Sequence, residues 1–261
     1  MNYEYLDIDI SDGIATVTMN RPHVLNGLHP ESHAEMERVW GELGENDDVR
    51  VAILTGAGRA FCAGGDLKDT EERLKTNPLG GSGISAASGR RSIYGLLDFE
   101  KPLIAAVNGH AIGLGATLGL LCDIVVVSEK AKIGDPHVAI GVVPGDGGLA
   151  IWVLLAGPNR AKEYMMLGTL ATAQEAYDLG LINHVVAPEE VMPVARGIAE
   201  RLAAGPQLAL QGTKVSINNW IKAQFSSLFE VSLAAELRSM AHPDFVEGVS
   251  AVLEKRPPNF E

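Results

Sequence analysis

KPLIAAVNGHAIGLGATLGLLCDIVVVSEKAKIG, residues 101–134, decides the fold class. Its two ends, KPLIAAVNG (101–109) and CDIVVVSEK (122–130), are short apolar runs that read as buried strands. Between them, NGHAIGLGATLGL (108–120) is a glycine-rich turn leading into an apolar segment. The longest apolar run, Ala111 to Cys122, has 12 residues and stops at Asp123. That is short of the roughly 18 needed to span a bilayer, so no membrane span is expected. Strand, glycine turn, helix and strand in this order form a crossover unit of an α/β protein.

The same pattern recurs upstream. VRVAILTG (49–56) is a buried strand followed by a second glycine turn, FCAGGDL (61–67). At the N-terminus, YEYLDIDI and GIATVTMN alternate as an antiparallel pair of strands would. Met36, Val39, Trp40 and Leu43 recur at helical spacing after Pro30, which suits a first helical turn. Thr172 and Glu175 have capping-box spacing, with Gly180 at the stop. Beyond residue 187 only helical stripes remain: Val191, Val194, Ile198 and Leu202; Leu210, Ile217 and Ile221; Phe229, Leu233, Leu237 and Met240; Phe245, Val249, Val252 and Leu253. We read 1–187 as an α/β core and 188–261 as a helical segment whose apolar faces need cover from the core or from another subunit. An oligomer is expected. The Gly- and Ser-rich stretch 76–90 reads as a loop, either a pocket wall or lid or a plain surface excursion.

A net charge of -12 disfavours a nucleic-acid partner, which draws on clustered Lys and Arg. The acidic, alternating N-terminus has no leader pattern, so a cytoplasmic location is expected. Cys62 and Cys122 form no metal-ligand cluster and read as reduced packing residues; no metal is expected.

Glycines between a strand and a helix let backbone N–H groups approach a ligand. Two such turns converging on one oxygen would make an oxyanion hole. A further stretch, GDPHVAIGVVPGDGG (134–148), sets His137 and Asp146 among apolar and small residues, with Asp135 at its entrance. Two readings stand for each: acid/base chemistry, or a core histidine and a helix N-cap.

Taken together, NRPHVLNGL (20–28), VRVAILTGAGRAFCAGGDL (49–67), residues 101–134, ATAQEAYDLGLINHVV (171–186) and EGVSAVLEKRPPNF (247–260) resemble the crotonase superfamily, the enoyl-CoA hydratase/isomerase group. The resemblance implies a spiral of ββα units, a C-terminal helical segment that builds trimers or hexamers, and an acyl-CoA thioester as substrate. No permanently bound cofactor is implied, since coenzyme A is part of the substrate. It places the oxyanion hole on the N–H groups of Gly65 and Leu114, with leucine where the family usually has glycine. The two glutamates of the family's hydratases fall on Thr117 and His137, so both are absent. Some branches of the superfamily carry an acidic residue where Asp146 stands and use it for proton transfer, isomerisation or C–C cleavage. By position, Ala63, Gly113 and Thr117 face the substrate, while Arg21, Lys68, Lys255 and Arg256 lie near the CoA-contacting segments. His110, Asp66 and Asp123 read as structural.

The expectation is a thioester-enolate enzyme of the hydratase/isomerase type with His137 and Asp146 in place of the glutamate pair. Its alternatives are a CoA-ester isomerase, hydrolase, lyase or other C–C-cleaving enzyme, or an acyl-CoA binding protein without chemistry.

Overall fold

The computed structural model describes residues 2–77 and 81–261. The chain opens with β1 (Leu6–Ser11) and β2 (Ile14–Met19), paired antiparallel, and α1 (Pro30–Glu45) follows. Three similar passages come next. The first is β3 (Val51–Gly56), β4 (Ala60–Cys62), α2 (Leu67–Thr76) and α3 (Ala86–Asp98). The second is β5 (Leu103–Val107), β6 (His110–Ile112) and α4 (Leu114–Leu120). The third is β7 (Ile124–Ser128), β8 (Lys132–Gly134), a 3-10 turn His137–Ile140 and α5 (Gly148–Ala156). Each passage sends its long strand to one sheet and its short strand to another, then returns through a helix.

After α6 (Pro158–Leu167), β9 (Leu170–Thr172), α7 (Ala173–Asp178) and β10 (His184–Val186) complete the core, and α8 (Val191–Ala203), α9 (Gln207–Met240) and α10 (Pro243–Glu254) close the chain. The sheets are ordered β1-β2-β3-β5-β7-β10 and β4-β6-β8-β9, with β3, β5, β7 and β10 parallel in the first. All of β3 and β5 is buried, as expected of parallel strands covered on both faces. Thr172 and Glu175 form the capping box of α7.

The C-terminal segment departs from the sequence reading in one respect. The second and third stripes lie on a single 34-residue helix, α9. Its buried face runs through Lys214, Asn218, Phe225, Phe229, Leu233, Glu236 and Met240, whereas Ile217 of the second stripe is exposed. The reason is polar compensation: Lys214 bonds the Lys101 carbonyl and pairs with Asp123, and Asn218 bonds the Leu97 carbonyl, so polar side chains hold the core face there. Helix α9 packs on α3 and α5, and α10 packs on α2 and on the 137–140 turn, so both cover this chain's own core.

Candidate active site

The short strands deliver the glycine turns to one place. Gly113, at φ +55, is the N-cap of α4, a backbone angle that suits glycine, and Leu114 is the first residue of the helix. The N–H groups of a first turn have no partner inside the helix. Gly65 sits between β4 and α2; its bridge to Leu28 uses the Gly64 carbonyl and the Asp66 N–H, leaving the Gly65 N–H outside the pairing. Both Gly65 and Leu114 line a cavity of about 80 Å³. A second cavity, about 200 Å³, is lined by Ala63, Gly64, Gly65, Gly113, His137 and Ile140, so the two meet at Gly65 and His137.

His137 stands over Gly113: a Cβ there would be 3.3 Å from its ring. The His137 Nδ1–H donates to Asp135, which is only 2% exposed, and Nε2 lies 3.8 Å from Asp146 Oδ2. Burial pushes the imidazole pKa down, but the carboxylates of Asp135 and then Asp146 outweigh it and raise it to about 10. The two carboxylates thus favour the protonated imidazolium form of His137. One ligand atom each from Asp135, His137 and Asp146 lies within 4.8 Å of the others, a spacing that can also hold a metal ion.

Asp146 divides its two oxygens. Oδ1 accepts from the Gly148 N–H at 3.1 Å and from the Thr117 hydroxyl at 3.2 Å. The helix it precedes has Gly147 as N-cap, so Asp146 does serve the start of α5, with one oxygen only. Oδ2 is buried with no hydrogen-bond partner among the described residues. Burial raises the Asp146 pKa to about 6, against the opposing charge of His137.

The other predicted residues are spread more widely. Arg21 pairs with Asp66 at 3.0 Å and bonds the Gly27 carbonyl, and Asp66 caps α2. Lys68 lies in the first turn of α2, Lys255 is the exposed C-cap of α10, and Arg256 pairs with Glu247 and Glu254. His110 accepts from the Lys132 N–H, Asp123 accepts from Leu103 N–H, and both cysteines are buried. Of the 76–90 stretch, residues 78–80 lie outside the described residues; Ser82, Ile84, Ser85 and Gly89 form a wall of the smaller cavity.

Sequence reasoning passed over three groups that line this cavity: His33, Ser92 and Glu236. His33 is held by Glu37 and Ser92, and burial lowers its pKa. Glu236 carried a signal: it falls three residues after Leu233 and four before Met240, within an apolar stripe.

A spiral of paired long and short strands brings the Gly65 turn, the first residue of α4 and the buried carboxyl of Asp146 to one cavity of an α/β fold. The family model described as enoyl-CoA hydratase/isomerase matches residues 9–261. The crotonyl-CoA hydratase of Syntrophomonas wolfei is 32% identical over 264 residues, 100% of this chain and 99% of that protein. The 1,2-epoxyphenylacetyl-CoA isomerase of Escherichia coli is 35% identical over 261 residues, 98% of each chain. A crystal structure of an enoyl-CoA hydratase from Mycobacterium avium subsp. paratuberculosis matches with a TM-score of 0.89 at 28% identity, covering 100% of both chains. The chain belongs to the enoyl-CoA hydratase/isomerase family, within the crotonase superfamily, and is an acyl-CoA-processing enzyme of that type.

Proposed function

We propose that this enzyme is an acyl-CoA isomerase that moves a proton along an unsaturated acyl chain, with Asp146 as the base. The observation that carries the reading is the unpartnered, buried Oδ2 of Asp146 in the cavity shared with Gly65 and Leu114. The thioester oxygen sits on the N–H groups of Gly65 and Leu114, where negative charge develops as the α-proton leaves. His137 holds positive charge beside Asp146 and keeps its carboxylate ionised; already protonated, it is no base. Thr117 donates its hydroxyl to Asp146, so it orients the base rather than a nucleophilic water. Isomerisation is thus favoured over hydration, which in the resemblance needs two glutamates that Thr117 and His137 replace. The larger cavity, with Ala63 and Gly113, receives the thioester arm of coenzyme A.

Replacing Asp146 with Asn is expected to lower turnover of a 3-enoyl-CoA by about 100-fold or more, the scale of a lost general base, with the ester's Kd unchanged. Unchanged turnover, or a product heavier by one water, defeats the reading. The exposed apolar side chains of α9, Leu208, Ile217 and Trp220, support assembly as a trimer or a dimer of trimers, which light scattering tests.

A further inference from the structure

Glu236 enters the site from α9, far along the chain from the site's other titratable groups, His33, His137 and Asp146. It is 6% exposed and shares its helix face with Phe225, Phe229, Leu233 and Met240. A Cβ on Gly145 would stand 2.5 Å from the Glu236 Cβ and collide with the Ser232 carbonyl, so α9 lies directly on the residue before Asp146. Glu236 and Asp146 line the same cavity with Gly65, Leu114 and His137. The Ser239 hydroxyl bonds the backbone carbonyl of Glu236, and among the described residues its carboxyl has no partner. A carboxyl on a largely buried helix face is costly, and an apolar residue would serve this face better unless the group acts on what enters the cavity. Such a group inside a cleft is a candidate for function.

Resting on the isomerase reading above, we propose that Glu236 is the site's proton donor, a carboxylic acid that protonates a 3-enoyl thioester at its γ-carbon while Asp146 removes the α-proton. The Asp146 carboxylate takes the α-hydrogen, and the C–H electron pair passes into the thioester as a dienolate whose oxygen faces the Gly65 and Leu114 N–H groups. The dienolate collapses, the double bond moves to the 2,3 position, and the γ-carbon takes the proton of Glu236. Asp146 is left protonated and Glu236 ionised, and a proton passes from one to the other across the shared cavity before the next turnover.

The charge state suits these roles. Burial, then the charges of Asp146 and Asp135, push the Glu236 pKa up to about 8, against the imidazolium of His137. The titratable groups facing it are Asp135 and His137 from the 135–140 turn, Asp146 from the loop before α5, and His33 from α1 across the cavity. Burial and the neighbouring carboxylates thus favour the protonated form of Glu236, whereas the Gly148 N–H and the Thr117 hydroxyl favour the ionised form of Asp146.

The test follows a 3-enoyl-CoA in D2O with wild type, Glu236→Gln, Glu236→Asp and Asp146→Asn, reading both isomerisation and solvent exchange of the α-hydrogen by mass spectrometry. Glu236→Gln is expected to lose about 100-fold in isomerisation, the scale of a lost general acid, while α-hydrogen exchange continues. Its alkaline limb near pH 8 disappears, and Glu236→Asp recovers part of the rate. Isomerisation and exchange falling together would make Glu236 structural and overturn the proposal. So would near-wild-type isomerisation in Glu236→Gln with Asp146→Asn inactive, which would leave Asp146 as a lone proton shuttle. An active Asp146→Asn would instead overturn Asp146 as the base on which the reading above rests.

Discussion

Replacing Asp135 with Asn tests whether His137 is the site's fixed cation. The imidazole is raised from 6.5 to about 10 in the folded chain, so its protonation contributes stability that is fully present below pH 6.5 and lost as the pH rises through about 10. At pH 7 the gap to the folded value is about three units, and at about 1.4 kcal/mol per unit this is about 4 kcal/mol shared between Asp135 and Asp146. Asp135 contributes the larger part and, among the described residues, is the one hydrogen-bond partner of the His137 ring, so the variant is expected to lose about 2–4 kcal/mol at pH 7, consistent with breaking a buried ion pair. The deficit should shrink toward pH 10, where wild type loses the same contribution. The assay is an NMR titration of the His137 ring, identified by its absence in His137→Gln, alongside urea unfolding from pH 6 to pH 10 at fixed protein concentration. In wild type the ring stays protonated through pH 8, and in Asp135→Asn it titrates in the neutral range. A wild-type ring that titrates near 6.5, or a stability deficit independent of pH, would refute the reasoning.

Leu114→Pro removes one N–H at the first position of α4, where proline is tolerated, so turnover should fall about 100–1,000-fold with little change in melting temperature. His137→Gln takes the cation from beside Asp146 and should abolish most turnover while leaving CoA-ester Kd unchanged; equal loss of binding would count against its role. Turnover should rise with pH through about 6 as Asp146 ionises, and a profile flat from pH 5 to pH 7 would contradict that. Chelators should leave turnover unchanged if His137 supplies the positive charge between Asp135 and Asp146; loss restored by a divalent cation would reassign the cluster.

The frame was legible because local rules decide it. Apolar runs bounded by glycine mark β3, β5 and β7, and the capping box marks α7. His137 and Asp146 stood out as polar groups in an apolar segment, and the structure brings them within 3.8 Å. The roles proposed for them were not legible, because they depend on which side chain lies against which. Asp135, two residues from His137, raises the pKa of its imidazole, and only the fold shows that this carboxyl turns inward. Glu236 was missed for a different reason: although it falls within an apolar stripe, a single acid in a long helix reads as solvated until a neighbour 91 residues earlier, Gly145, is found beneath it. The second stripe of α9 failed for the converse reason, since Lys214 and Asn218 satisfy their polar ends on backbone carbonyls and take the inward face.

In the smaller sheet, β4, β6 and β8 lie side by side, each from a successive passage of the chain. The segments that leave them carry, in turn, Gly65, Leu114 and the His137–Asp146 pair. In the proposed mechanism, the groups facing the thioester oxygen and the base Asp146 therefore sit on separate passages of one repeating frame, with Glu236 reaching in from α9. Inheritance can exchange one module's side chains while the others, and the scaffold they share, stay as they are. If the proposed mechanism holds, a protein so arranged can change its reaction by local substitution while its hold on the thioester stays in place.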